Sequence, residues 1–321
     1  MNRKLFNIII HRDVCKKKRG KKMVECMQCG ENTTNPIPVG SDHIVCNSCF
    51  REYHQSAIRE YYYKPEPVFF GENQRGRFYG LEVEAADGAN PKVMAGKVGY
   101  CLTEVYTKHD GSVPGGFEIV SHPCTIDYHQ SMDYGSVFGM CNDAGFKSHD
   151  ASVSCGLHVH ISKDSFNAGI PSGIPYAQRN SVPQVRIGAL IYFIHKFRRE
   201  ITKFSRRKIG DLNRWAKFYD EIDLSDNLLA IYTTAKRRNQ YDRYVSINLQ
   251  NQHTVELRLF RGTLNRNTLI ATLQLIDLFC DLSELPEEEV KRITWPDVIR
   301  LAKKKKELRE YLRSKNLIGA E

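Results

Sequence analysis

The stretch Cys155-Gly156-Leu157-His158-Val159-His160-Ile161 alternates apolar residues with two imidazoles. On an extended chain the imidazoles share one face, and Leu157, Val159 and Ile161 share the other. The same pattern recurs upstream in Tyr79-Gly80-Leu81-Glu82-Val83-Glu84, with carboxylates in place of imidazoles. Downstream, Thr254-Val255-Glu256-Leu257-Arg258-Leu259-Phe260 carries an acid and an arginine. Gly116-Phe117-Glu118-Ile119-Val120-Ser121-His122-Pro123 sets Glu118 against Phe117 and Ile119, and Arg243-Tyr244-Val245-Ser246-Ile247-Asn248 is a weaker instance. Any one of these alone reads as a strand with a solvated face. Solvated faces, however, mix Lys, Thr, Ser and Glu, whereas these carry Glu, Glu, His, His, Glu and Arg, which are groups that bind divalent metal and phosphate. Together they predict a sheet with one apolar face and one face organised around cations.

Helical patterns lie between and after these strands. Pro183 to Lys208 is apolar almost all round from Ile187 to Ile194 and then turns basic, which predicts a central helix whose end reaches solvent. Asn265 to Leu282 places Leu269, Leu273, Ile276 and Phe279 on one face, and a third helix is expected from about Asp297 to Leu312. Long helical insertions between strands of this kind argue for an α+β domain built on a curved antiparallel sheet.

Upstream, Cys26-x-x-Cys29 and Cys46-x-x-Cys49 have the spacing of two knuckles that pinch one tetrahedral Zn²⁺. Gly30 follows the first pair, where a positive φ is wanted. Asn35 to Pro38 and Gly40 to Asp42 read as turns, and His43-Ile44-Val45 reads as a short strand. The expectation is a zinc ribbon over residues 25–52 with a closed, structural metal site, since so small a unit has little core of its own. A redox CxxC pair is the alternative, without the βαβ pattern that would flank it. Cys15, Cys101, Cys124, Cys141, Cys155 and Cys280 lack such spacing and read as small buried residues. Arg51 to Tyr63 is helix-compatible, and Pro65 and Pro67 stop it. This gives a basic segment at 1–24, the ribbon at 25–52, a linker helix and proline-rich turn at 53–76, and a catalytic-type domain at 77–321 that ends in a basic helix.

The 321 residues carry a net charge of +10, with 41% hydrophobic and 26% charged residues, which excludes a disordered or collagen-like chain. The charge is uneven: residues 1–24 hold +8 and 291–321 hold +6, leaving the body mildly acidic. The basic ends could meet nucleic-acid phosphates, but a solvated arm and helix face is the favoured reading. No apolar run approaches the roughly 20 residues that cross a bilayer, and the N-terminus lacks a signal-peptide pattern, so a cytoplasmic protein with no membrane contact is expected. No G-x-x-x-x-G-K-[ST] occurs, which excludes a P-loop, and no H-E-x-x-H occurs.

Taken in order and spacing, Glu82 and Glu84, the GFEIVSHP segment with Glu118, GLHVHIS with His158 and His160, RYVSIN with Arg243, and VELRLFRGT with Glu256, Arg258 and Arg261 resemble the amidoligase family. That family belongs to the carboxylate–amine ligase superfamily, whose best-known member is glutamine synthetase. The resemblance covers residues 77–275 or so and leaves the cysteine module and basic ends outside. It implies a two-metal ATP site on an antiparallel sheet. Carried over, Glu84 and Glu118 hold one Mg²⁺ (or Mn²⁺), with Asp110 the candidate for a third acid. Glu82, His158 and Glu256 hold the ion that grips the ATP phosphates. His160 faces phosphate, and Arg243 and Arg258, with Arg261 as an addition, clamp the phosphate or an acyl phosphate. The implied reaction joins a carboxylate to an amine through an acyl phosphate, with peptide or protein tagging and peptidoglycan-related amide formation as the candidates the family suggests. Two other readings stay open: a metal-dependent hydrolase or nuclease that uses the HxH and acid cluster, and a non-catalytic zinc-ribbon nucleic-acid-binding protein. Oligomeric state is not legible.

Overall fold

The computed structural model describes the chain outside residues 1–22, 28, 35, 39–43, 47, 50–56, 73–75, 150–153, 171, 172, 174, 176–178 and 319–321. The basic N-terminal segment lies almost wholly outside the described residues, as do His43 and the first half of the expected linker helix. Four two-residue strands come first: β1 (Val24–Glu25), β2 (Asn32–Thr33), β3 (Ile37–Pro38) and β4 (Ile44–Val45). They form two small antiparallel ladders around the cysteines. Then follow β5 (Ile58–Arg59), β6 (Tyr79–Ala85), α1 (Pro91–Cys101), β7 (Val105–Lys108), β8 (Phe117–Ser121), α2 (Ile126–Ser131), α3 (Tyr134–Asp143) and β9 (Gly156–Ser162). The second half holds α4 (Val182–Lys196), α5 (Arg198–Ser205), α6 (Ile209–Trp215), α7 (Leu228–Asn239), β10 (Ile247–Asn248), β11 (Thr254–Arg261), α8 (Arg266–Leu282), α9 (Glu287–Arg292), α10 (Trp295–Ala302) and α11 (Lys306–Ser314).

The fold is α+β, as the patterning predicts. Seven strands form the main sheet in the order β10-β11-β9-β6-β8-β7-β5. Every pairing is antiparallel except β5 with β7, so the sheet is mixed. Strand β5 also corrects the expected linker helix: the described part of it, residues 57–63, forms this edge strand and a turn. The β-branched Ile58 is buried at the sheet edge and gains more there than on a helix surface.

Alternation sets the two faces. Tyr79, Leu81, Val83 and Ala85 of β6, Leu157, Val159 and Ile161 of β9, and Val255 and Leu257 of β11 are all 1% exposed or less. Helix α8 lies on this apolar side, because the Tyr79 hydroxyl donates to Asp277 at 2.9 Å, and α4 joins it through stacked Phe193 and Phe279 rings. The predicted central helix is two helices, broken at Phe197, whose ring turns inward against Phe279 and Trp295. Its basic end does not simply reach solvent: Arg207 is buried. The third predicted helix is likewise split into α10 and α11. Four successive lysines, 303–306, disfavour one continuous turn, and the break lets Lys305 reach Asp277 at 2.9 Å.

The opposite edges of the sheet come together over the polar face. Tyr61, just past β5, lies under the Lys108 ammonium and against the guanidinium of Arg243, ahead of β10. Seven strands spaced at about 4.8 Å would set flat edges roughly 29 Å apart, so the sheet curls around that face. No helix among the described residues is long and apolar enough to cross a membrane.

Candidate functional site

Register brings the polar residues of four strands into one patch. Glu82 pairs with His158 across β6 and β9, Glu84 with Glu118 across β6 and β8, and His160 with Glu256 across β9 and β11. Asn248 of β10 pairs with Glu256. On β11 an extra residue between Leu257 and Phe260 forms a bulge. Glu256 and Arg258 are two apart and share the polar face by ordinary alternation; Arg261 is three further on and reaches the same face only because the bulge shifts the phase. Leu259 and Phe260 are thereby both sent into the core.

Two groups of potential ligands result, each with its donor atoms within 4.8 Å of one another: Glu82, His158 and Glu256, and Glu84, Glu118 and His158. The His158 ring stands between them. Its Nδ1 is 3.0 Å from Glu82 Oε2 and 3.9 Å from Glu256 Oε1, while its Nε2 faces Gly156, whose N–H donates to Glu84 at 2.6 Å. His160 Nε2 is 3.3 Å from Glu82 Oε1. Glu256 accepts from Asn248 at 2.8 Å and Asn251 at 3.1 Å and pairs with Arg258. Lys108 Nζ reaches Glu118 at 3.1 Å. Asp110 stands outside both groups; its carboxylate accepts from the Ser112 N–H at 2.7 Å.

Electrostatics divides the four acids. Burial pushes Glu82 up, yet the His160 charge and the bonds from both imidazoles outweigh it, and its carboxyl sits well below the usual range. Glu256 is lowered in the same way, by His160 and Arg258 against burial. Glu84 is raised by burial, which His158 and the Gly156 N–H offset only in part. Glu118 is raised well above the usual range by burial and by the charges of Glu82 and Glu84, with Lys108 opposing. His160 is raised, since Glu82 overcomes its burial. A buried acid pair short of positive charge suits a cation, and sets of two carboxylates with one imidazole suit a hard, oxygen-preferring divalent ion.

Arg243 is at the rim. Its Nη2 donates to the Tyr244 hydroxyl at 3.1 Å, and the Tyr244 ring lies below the guanidiniums of Arg243 and Arg258 at 5.0 and 5.7 Å. Sequence reading missed Lys108, Tyr244, Asn248 and Arg207. Alternation along RYVSIN marks Asn248, but nothing local marks Lys108 or Arg207, whose roles depend on strand order.

The family model described as "Putative amidoligase enzyme" matches residues 82–279. The chain belongs to the amidoligase family. The matched amidoligase span runs from Glu82 in β6 to Phe279 in α8, so it takes in both ligand groups and Arg243, Arg258 and Arg261, and leaves the cysteine module outside. Amidoligase membership makes this a ligase-type enzyme. No curated protein sequence matches the chain.

The cysteine module stands apart. Cys26, Cys29, Cys46 and Cys49 bring their sulfurs within 4.8 Å of one another and could hold a zinc ion. Cys29 Sγ and Cys46 Sγ are 3.7 Å apart, close to the edge of about 3.8 Å for a tetrahedron with Zn–S near 2.3 Å. Gly30, at φ +74°, closes the first knuckle by donating its N–H to Cys26 O at 2.8 Å. Val93 of α1 packs against these cysteines. Cys124, Cys141, Cys155 and Cys280 are buried, Cys101 is half-buried, and Cys15 lies outside the described residues.

Proposed function

We propose that the protein is an ATP-dependent carboxylate–amine ligase that forms an amide or isopeptide bond. The observation that carries this reading is the pair of carboxylate–imidazole groups on one sheet face, flanked by Arg258, within the span that matches the amidoligase family. Glu84 and Glu118 are assigned to one Mg²⁺ or Mn²⁺, and Glu82, His158 and Glu256 to the other. When bound, these ions neutralise phosphate charge. His160 faces the transferred phosphate. Arg258, with Arg243 and Arg261, steadies the phosphate and the acyl phosphate by paired N–H donors. A substrate carboxylate oxygen attacks the γ-phosphorus and ADP leaves; an amine nitrogen then attacks the acyl carbon and gives up a proton, which the inorganic phosphate takes as it leaves with the C–O electron pair. The chemistry needs such a device because a free carboxylate acylates poorly and its charge repels the polyphosphate. The cysteine module is assigned to structural Zn²⁺, as a ribbon that helps recognise a macromolecular substrate.

A thermal-shift titration with ATP and Mg²⁺ tests the reading, since a ligand that binds only the folded state raises its stability by mass action. The expected result is a metal-dependent rise in Tm for the native chain that Glu82→Ala and His158→Ala abolish. No rise at saturating nucleotide, or bond hydrolysis without nucleotide, would overturn it.

A further inference from the structure

The lone pairs of Glu256 are nearly all occupied. A carboxylate offers about four acceptor sites, two on each oxygen. Oε2 accepts from the Asn248 side-chain amide at 2.8 Å and from the Asn251 side-chain amide at 3.1 Å, so both of its sites are taken. Oε1 accepts from Arg258 Nη1, which takes a third. Among the described residues that leaves one site, on Oε1, the oxygen 3.9 Å from His158 Nδ1 in the group with Glu82. Glu256 can therefore offer an ion a single oxygen. The donors on Oε2 are neutral amides, which fill a lone pair without cancelling the carboxylate charge.

The chain that carries the two amides, Asn248 and the turn at 249–253 between β10 and β11, is fastened from elsewhere. Asn248, 4% exposed, accepts the Gln250 N–H on Oδ1 at 3.0 Å, which keeps the N–H end of its amide toward Glu256. From α7, Lys236 Nζ donates to the Leu249 carbonyl at 2.9 Å, and Asn239 bonds both Leu249 and Gln250. Lys163, just past β9, donates to the carbonyls of Asn251 and Gln252. This bracing fixes where the Asn251 amide stands.

We propose that Asn248 and Asn251 are positioning residues that set the ion preference of the Glu82–His158–Glu256 group: by filling both sites of Oε2 they hold Glu256 to one-oxygen ligation, which suits Mg²⁺ and Mn²⁺ and disfavours Ca²⁺. Ca²⁺ gathers about six to eight oxygens and readily takes both oxygens of one carboxylate, whereas Mg²⁺ demands a near-octahedral set. Groups that hold a ligand from behind orient it and tune the ion it accepts. The role given to these amides rests on the assignment of a divalent ion to this group; it does not depend on the reaction.

The test is Mn²⁺ binding to the full chain, loaded with Zn²⁺ and without nucleotide, followed by the electron paramagnetic resonance of free Mn²⁺ with Ca²⁺ as competitor. Sites that persist in Glu82→Ala are subtracted, and the quantity read is the ratio of the Ca²⁺ to the Mn²⁺ dissociation constant. The His158 nitrogen favours Mn²⁺ by itself, so the change in this ratio carries the result. Asn251→Ala, at a half-buried position, is expected to lower the ratio about tenfold, and Asn248→Ala in addition to lower it further. Loss of structure alone would weaken both ions together, and Asn251→Ala decides by itself if the double variant does not fold. An unchanged ratio in Asn251→Ala, with Mn²⁺ still bound, would overturn the positioning role. A native chain that binds no Mn²⁺ removable by Glu82→Ala would defeat the ion assignment and this role with it. A ratio that shifts as expected, while ATP with Mg²⁺ gives no rise in Tm, keeps the role and defeats the ligase reading alone.

Discussion

Glu118 shows how one residue carries both function and cost. It is 2% exposed and faces Glu82 and Glu84, with Lys108 its nearest cation at 3.1 Å. Without metal, these like charges in a buried patch oppose folding. Glu118→Gln is expected to raise the metal-free stability by about 1 kcal/mol and to cancel the gain from Mg²⁺ with ATP, the trade-off of a functional site; Tm with and without metal checks it. His129 presents the opposite case, a histidine buried as structure. It is fully buried, lies 2.9 Å from both the Tyr134 hydroxyl and the Tyr79 carbonyl, and burial lowers it from 6.5 to about 4. The unfolded chain thus binds the proton first. The stability His129 contributes is complete above about pH 6.5 and is lost as pH falls toward 4, by up to about 3 kcal/mol. Denaturant melts at pH 7 and pH 5 should show this loss, reduced in His129→Gln.

At the scale of elements, the strands were legible because each carries its own period of two. Tyr79–Ala85, Phe117–Ser121, Gly156–Ser162 and Thr254–Arg261 fall where the alternation of Glu82, Glu118, His158 and Glu256 set them. Of the RYVSIN segment, only Ile247–Asn248 is strand. What escaped depends on partners far along the chain: Lys108 has meaning only once β7 lies beside β8, and Arg206 and Arg207 read as a basic helix end until β11 is packed on them. The anchor of β6 is equally non-local. Arg77, 5% exposed, binds Asp277 at 3.3 Å, Asp281 at 2.6 Å and Glu284, all on or just after α8. Arg77→Ala leaves these acids without their shared cation and should cost about 3–5 kcal/mol in denaturant unfolding. The bulge in β11 makes spacing as consequential as identity. Deletion of Leu259 would return the strand to strict alternation with Arg261, then four positions from Glu256, still on the polar face, so the ATP-dependent Tm rise should survive while loss of the buried Leu259 side chain lowers stability.

At the scale of the molecule, the cysteine module and the site are joined by a short length of chain. Residues 50–57 are all that separate Cys49 from β5, and Tyr61 follows at once between Lys108 and Arg243. If Cys46→Ser loosens the module, amide hydrogen exchange should quicken over residues 57–63 and remain slow in β6 and β9; equal exchange in both chains would separate the two units. Tyr61 thus works like the clasp of a bracelet, fastening two ends of a sheet that are joined along the strands between them. A substrate wide enough to need the open bracelet must undo the hydrogen bond between Tyr61 and Arg243, so access to the polar face is set by how firmly one side chain holds.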